Sequence, residues 1–385
     1  MRVALGLLSL AAPAAAAHPF ARESLRQQAL ADAYVPAAGG CPCASAALCE
    51  PIGGPPVAAR EVFGFVSGAT DPAAVNWTHV TTVAWGDDAM MCAAHAAGAR
   101  VVAAAPSINL TALEDPAARA AWVVRAVALV EGRYVDGMTF DYESPQPYGS
   151  PAIAAYAALV AATRRALHAT NPSYQVSTCV ASTPDDVDGR GYPMNALADA
   201  SDLLYVMDYD TRSQIFDACI ASANAPLPGT VHGIGRFRDL GIPASKLVLG
   251  VPWYGYRYEC LPGATLDGRY CDIESVPFRG VNCSDAAGSE VDYAKLRAVV
   301  RNASVQTSAE RRDANMDAPF FNALERGAVV QYWYDDPASL RAKFSFARGA
   351  GLAGVGPFCF GMLAAGDPGE AAAMWASLDA FAAYG

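Results

Sequence analysis

Tyr134-Val135-Asp136-Gly137-Met138-Thr139-Phe140-Asp141-Tyr142-Glu143 is the stretch on which the reading of this chain turns. Apolar and polar residues alternate from Met138 to Glu143, which is the period of a strand. Residues i and i+2 of a strand face the same side. Thr139, Asp141 and Glu143 therefore share one face, and Met138, Phe140 and Tyr142 share the other. Two carboxylates side by side on a half-buried strand are costly. Like charges this close push one carboxyl pKa upward, which is what a general acid working near neutral or acidic pH needs. A divalent-metal site of Asp136, Asp141 and Glu143 is the alternative. Asp136 precedes the strand and no further ligand lies in step, so no metal is expected.

The stretch is one of eight β-rich runs, at residues 61–67, 80–85, 99–105, 137–143, 174–181, 203–209, 247–254 and 354–360. Helical patterns lie between them, among them 116–130, 151–169 and 339–350. Eight strands joined mostly through helices predict an α/β fold with a parallel sheet, the (β/α)8 TIM barrel. A doubly wound open sheet is the alternative. No Gly-rich phosphate loop follows an early strand, which weighs against it. From about residue 257 to 327 the chain holds Pro, Gly and three cysteines with little periodicity, and reads as an insertion between strands seven and eight.

The chain has 385 residues, 53% hydrophobic and 17% charged, enough for a large core. A formal net charge of −11 argues against nucleic acid or an anionic membrane as partner. Residues 1–17 read as a signal peptide, with Arg2 ahead of a short apolar run and an Ala-rich cleavage region. An Ala-rich helix of the mature chain is the competing reading. Residues 18–55 read as an Ala-rich leader and a Cys-rich segment, and 56–385 as the barrel. Ten cysteines fit an oxidising compartment. A zinc site is disfavoured by irregular spacing and only five His. Sequons at Asn76, Asn109, Asn282 and Asn302 agree with a secretory route, lysosomal or secreted.

In a barrel, polar residues at the carboxyl ends of strands carry the chemistry. Glu143 ends the fourth run. Met207-Asp208-Tyr209-Asp210 ends the sixth, Trp253-Tyr254-Gly255-Tyr256 the seventh, and Gln331-Tyr332-Trp333-Tyr334-Asp335 precedes the eighth. Aromatic faces stack on sugar rings, and carboxylates bind hydroxyls and protonate a glycosidic oxygen. Each aromatic could equally be core with a polar handle. Asp208 reads as structural, being out of phase with Met207 and Tyr209.

Asp136-Gly-Met-Thr-Phe-Asp141-Tyr-Glu143 resembles the DGxxxDxE signature of family 18 glycoside hydrolases, the chitinase-like (β/α)8 barrels. Met207-x-Tyr209-Asp210 resembles that family's sixth-strand motif. Six ordered blocks resemble its di-N-acetylchitobiase branch: Cys41-Pro-Cys43 through Ile52, Val206–Asp210 with Ser213-Gln-Ile215, Gly250-Val-Pro-Trp-Tyr-Gly-Tyr256, Val276-Pro-Phe-Arg-Gly280, Cys283–Gly288 and Trp333-Tyr-Asp335.

The resemblance implies cleavage of β-1,4-linked N-acetylglucosamine, with the substrate's acetamido group in place of an enzyme nucleophile. It implies Glu143 as general acid, Asp141 orienting the acetamido N–H, and Tyr209 donating to the acetamido oxygen. Asp210, Met207, Thr139, Trp253, Tyr254, Trp333, Asp335 and Phe358 become substrate-binding candidates. No cofactor is implied. The expected partners are N-acetylglucosamine oligosaccharides, with no nucleic acid and no membrane, and the chain is expected to be a monomer. Two positions depart from the family. Thr139 stands where chitinases usually have Asp and chitobiases Asn, and Phe358 stands where the eighth strand usually ends in Trp. A chitinase-like lectin without turnover, or an endochitinase, are the alternatives. Retention of an acid at Glu143 favours catalysis over the lectin.

Overall fold

The structure is a computed structural model that describes residues 19–35, 40–67, 70–211, 218–364 and 366–382. The expected signal peptide and the block Ser213–Ile215 lie outside the described residues. Seven parallel strands follow in chain order: β1 (Glu61–Phe65), β2 (Thr82–Ala84), β3 (Arg100–Ala104), β4 (Gly137–Phe140), β5 (Gln175–Ala181), β6 (Leu203–Met207) and β7 (Leu247–Pro252). A second set comes next: β8 (Tyr254–Glu259), β9 (Gly288–Asp292), β10 (Gln306–Thr307), β11 (Arg311–Asp313), β12 (Ala318–Glu325) and β13 (Ala328–Trp333). Strand β14 (Gly354–Phe358) then pairs with both β7 and β1 and closes an eight-stranded parallel barrel. The fold is the expected (β/α)8 barrel, and the open sheet is excluded by this closure.

The second set forms an antiparallel sheet in the order β10-β12-β13-β8-β9, with β11 paired to β12. It begins at Tyr254, directly after β7, and ends at Trp333. The insertion is thus wider than the interval 257–327. Composition marked its loops but not its bounding strands, which read like barrel strands. The run read as 247–254 is two strands meeting at Trp253.

Alternation along β4 sorts its side chains between two cores. Met138 and Phe140 face the helical layer, where Phe140 packs on Trp122 at 5.7 Å and on Tyr156. Inside the barrel, Phe63, Phe65, Cys179, Tyr205 and Val248 fill the lumen. Gly137 adopts φ +145°, and a Cβ there would lie 1.9 Å from the Gln175 carbonyl oxygen. The strand can therefore begin only with glycine at this position. Below it, Asp136 is fully buried at the amino end of β4. It accepts from His95 Nε2 and from the main-chain N–H groups of Ile52 and Val101. Asp136 thus anchors the barrel floor, remote from Asp141.

The cysteines Cys41–Cys49, Cys43–Cys92, Cys219–Cys283 and Cys260–Cys271 are disulfide-bonded, and Cys179 and Cys359 are free and buried. The Cys41, Cys43 and Cys49 sulfurs are therefore bonded to sulfur, which removes the zinc reading. The stretch expected as an Ala-rich leader contains regular structure. It forms a helix, α1 (Pro19–Asp32), packed on the barrel.

Candidate active site

Strand β4 stops at Phe140, so Asp141 and Glu143 stand just beyond its carboxyl end rather than within it. The alternation survives although the ladder ends. Tyr142 still points outward, onto Tyr156 and Tyr192. The Tyr192 hydroxyl donates to the carbonyls of Tyr142 and Ser144, at 3.0 and 2.7 Å, and pins the loop that carries Glu143.

Asp141 is 7% exposed. Burial first, and the charge of Glu143 second, raise its carboxyl pKa from 3.8 to about 7, while a hydrogen bond from Ser24 and the Arg190 charge pull it down. Its Oδ2 accepts from the Ser24 hydroxyl at 2.5 Å, and its Oδ1 is buried without a hydrogen-bond partner. Thr139 is buried beneath it on β4, with Oγ1 3.9 Å from the Cys179 sulfur. Burial and the nearby Asp141 charge push that thiol well up, so it stays neutral. Glu143 is partly open. Its Oε2 accepts from Arg190 Nη1 at 2.8 Å, and its carbonyl accepts from Arg279 of the insertion.

The aromatic wall forms around Phe358 at the end of β14. Phe65, Trp85, Tyr209 and Tyr254 have ring centroids 5.7, 6.2, 5.8 and 6.3 Å from it. Met207, at the end of β6, belongs to the same buried cluster. Tyr209 and Tyr254 meet edge to face at 6.1 Å. Burial pushes the Tyr209 phenol well up, so it remains a neutral donor. Asp210 has φ +54°, in the left-handed region that Asp tolerates better than most residues. Its Oδ1 accepts from the hydroxyls of Tyr254 and Tyr256 at 2.6 and 3.0 Å, and its N–H donates to Asn224.

Three expected sugar contacts lie elsewhere. Trp253 is fully buried against Phe360 and Trp375, its ring 4.8 Å from the latter, in the layer outside the barrel. Chain direction explains it: Tyr254 turns toward Asp210, so its neighbour must turn away. Trp333 is fully buried in the antiparallel sheet, stacked on Phe320 at 4.6 Å and donating to Gln331. Asp335 forms a buried ion pair with Lys343 at 2.7 Å. Asp208 sits near that pair and accepts from Thr230, in the structural role expected of it. Phe65, Trp85, Arg190 and Tyr192 were not singled out from sequence, and Tyr256 only as part of the block at the end of the seventh run. Phe65 and Trp85 carried the same strand-end aromatic signal as Tyr209. Arg190 and Tyr192 carried none, because their loop meets Glu143 only in three dimensions.

The sequence profile of Glycosyl hydrolases family 18 matches residues 108–362. The chain is 39% identical to the probable di-N-acetylchitobiase 2 of Dictyostelium discoideum, over 89% of this chain and 91% of that protein. It is 40% identical to di-N-acetylchitobiase of Mus musculus, over 83% and 86% of the two chains. In fold it is similar to the class V chitinase of Nicotiana tobaccum, with a TM-score of 0.65, 17% identity, and coverage of 83% of this chain and 98% of that one. The chain belongs to glycosyl hydrolase family 18 and is a glycoside hydrolase.

Proposed function

We propose that the chain hydrolyses β-1,4-linked N-acetylglucosamine, in the chitobiose core of Asn-linked glycans or in short chito-oligomers, with retention and with the substrate's acetamido group as nucleophile. The observation that carries this reading is the placement of the two carboxylates. Asp141 and Glu143 leave the end of β4 together, two residues apart. A retaining enzyme with its own nucleophile normally holds two carboxyl groups about 5–5.5 Å apart across the sugar. Asp210, a further acid at this rim, is held by two tyrosine hydroxyls. The nucleophile is then left to the substrate. Names of relatives support the substrate class, since curated relatives are di-N-acetylchitobiases and a structural neighbour, the chitinase of Cycas revoluta, was solved with (GlcNAc)3.

In this mechanism Glu143 protonates the leaving oxygen. The acetamido oxygen attacks the anomeric carbon, giving an oxazolinium ion and releasing the aglycone. Asp141 accepts from the acetamido N–H and balances the developing positive charge, and the Tyr209 phenol donates to the acetamido oxygen. Glu143, now ionised, takes a proton from water as that water opens the ring. Phe358 floors the subsite and Thr139 supports Asp141 from below. Four disulfides and the leader together support a secretory-pathway protein, lysosomal or secreted.

The test is product analysis on oligomers of defined length, followed by anomer-resolved NMR. The β anomer should form first, a thiazoline analogue should inhibit, and analogues with a free amine or hydroxyl at C2 should be inert. A first product of α configuration, or brisk cleavage of the 2-hydroxy analogue, would overturn the mechanism.

A further inference from the structure

Helix α1 presents an unusual face to the barrel. Ser24, Gln27 and Ala31 are buried, at 5, 6 and 8% exposure, while Leu25 and Leu30 stand 61 and 51% exposed. A helix kept only for packing turns its leucines inward and its polar residues out. Among the described side chains of this helix both leucines face out while Ser24 and Gln27 face in, and a local rule broken in this way points to function. What the polar face meets is Asp141. Ser24 donates to its carboxylate, and Gln28, one turn on, donates to its main-chain carbonyl at 3.2 Å. Gln28 also donates to Ser24, which holds the two as a unit. At the far end of the helix, Asp32 accepts from the Ser107 N–H at 3.0 Å. The contact is directional and polar, like one made to a sugar, and it takes one oxygen of the carboxylate proposed to receive the acetamido N–H.

We infer that α1 is an autoinhibitory segment that occupies the sugar-binding mouth in place of substrate, with Ser24 and Gln28 capping Asp141. The inference rests on the proposed role of Asp141 in binding the acetamido group. Among the described side chains of α1, the seat is one small apolar residue and a few hydrogen bonds, so it is reversible. Substrate and helix compete for the same carboxylate. The apparent affinity for an oligomer is then lowered by the fraction of molecules whose mouth is closed, and a helix seated nine-tenths of the time costs about ten-fold. The exposed Leu25 and Leu30 leave the outer face of α1 free for whatever withdraws it.

The experiment uses the full chain with Ser24→Glu, which sets a carboxylate against Asp141 while keeping a good helix former. Ala31→Glu, at the other end of the buried face, is the second variant. Hydrogen exchange over residues 23–32 reads the seating, and turnover of a short N-acetylglucosamine oligomer reads the consequence. Both variants should free those amides and raise kcat/KM by about ten-fold, mostly through KM, the reciprocal of the closed fraction. A synthetic peptide of residues 19–35 should inhibit the Ser24→Glu chain competitively. Freed amides with unchanged or lower kcat/KM would overturn the inference, since the helix would then be a bystander or part of the working site. Unprotected amides in the unaltered chain would overturn it as well. If no form of the chain cleaves acetamido sugars, the functional reading fails separately. Calorimetry with the oligomer then decides the inference: about ten-fold tighter binding to the Ser24→Glu chain upholds it, and equal binding overturns it.

Discussion

Asp136 and Asp141 sit at opposite ends of the same four-residue strand, and the fold treats them in opposite ways. Asp136 is fully buried and fully answered, with a histidine and two main-chain N–H groups on its oxygens. Asp141 is nearly as buried, yet one oxygen lacks a partner and a second carboxylate stands two residues away. A buried carboxylate with all its bonds made is a fastener. One left short of partners, beside a like charge, holds its proton to unusually high pH and is available for chemistry. In the proposed mechanism the lower acid belongs to stability and the upper pair to function, a division that can be broken residue by residue.

The largest effect is expected at the upper end. Glu143→Gln should lower turnover by about a hundred-fold to ten-thousand-fold, the usual worth of a positioned acid, with little change in Tm. Near-normal turnover would sink its role. At the lower end, Asp136→Ala strands the His95 ring and two main-chain donors. It should cost about 3–5 kcal/mol by denaturant unfolding, with the specific activity of the folded fraction retained. A loss of activity at full stability would dissolve the distinction between the two acids.

A pH series sharpens the comparison. The folded pKa of Asp141, about 7, lies above its ordinary 3.8. Between those values the folded chain holds a proton that the unfolded chain has lost. Stability from this residue is therefore fully present below about pH 4 and is lost as pH rises to 7, on the order of 4 kcal/mol. Unfolding curves of Asp141→Asn should lack this component. Asp208, raised to about 6 by burial, adds a smaller change of the same sign that persists in the variant. Equal slopes in both chains would mean that Asp141 is ionised throughout.

The smallest effect concerns the floor. Phe358 is 3% exposed and enclosed by four aromatic rings. Phe358→Trp restores the family's usual residue but overfills the space, and should cost about 1–3 kcal/mol of stability. Thermal unfolding with no loss would show that the mouth can accommodate an indole.

Local pattern carried much of this. The alternation around Asp141 assigned each side chain to a face before any fold was known, and the packing of Phe140 and Tyr142 into the helical layer follows it. The same rule, applied at residues 253 and 254, would have sent Trp253 and Tyr254 to opposite sides. Proximity to an acid drew attention to Trp253, whereas parity placed it against Trp375. For Trp333 and Asp335 no local rule sufficed. Their partners, Phe320 and Lys343, are supplied by another strand and by a following helix.

What the amino-acid sequence determined by itself was periodic or local: eight strands, the helices between them, and two acids on one face. These depend on the backbone's own geometry and on neighbours within a few residues. Only the tertiary structure decided which charged and polar groups meet those acids. Arg190 reaches Glu143 across 47 residues of chain and Ser24 reaches Asp141 across 117. A contact at such separation leaves no trace in periodicity, because it depends on where closure of the barrel brings two unrelated segments. Ser24 lies in an Ala-rich stretch whose composition carried no message, and its meaning comes entirely from the carboxylate it touches.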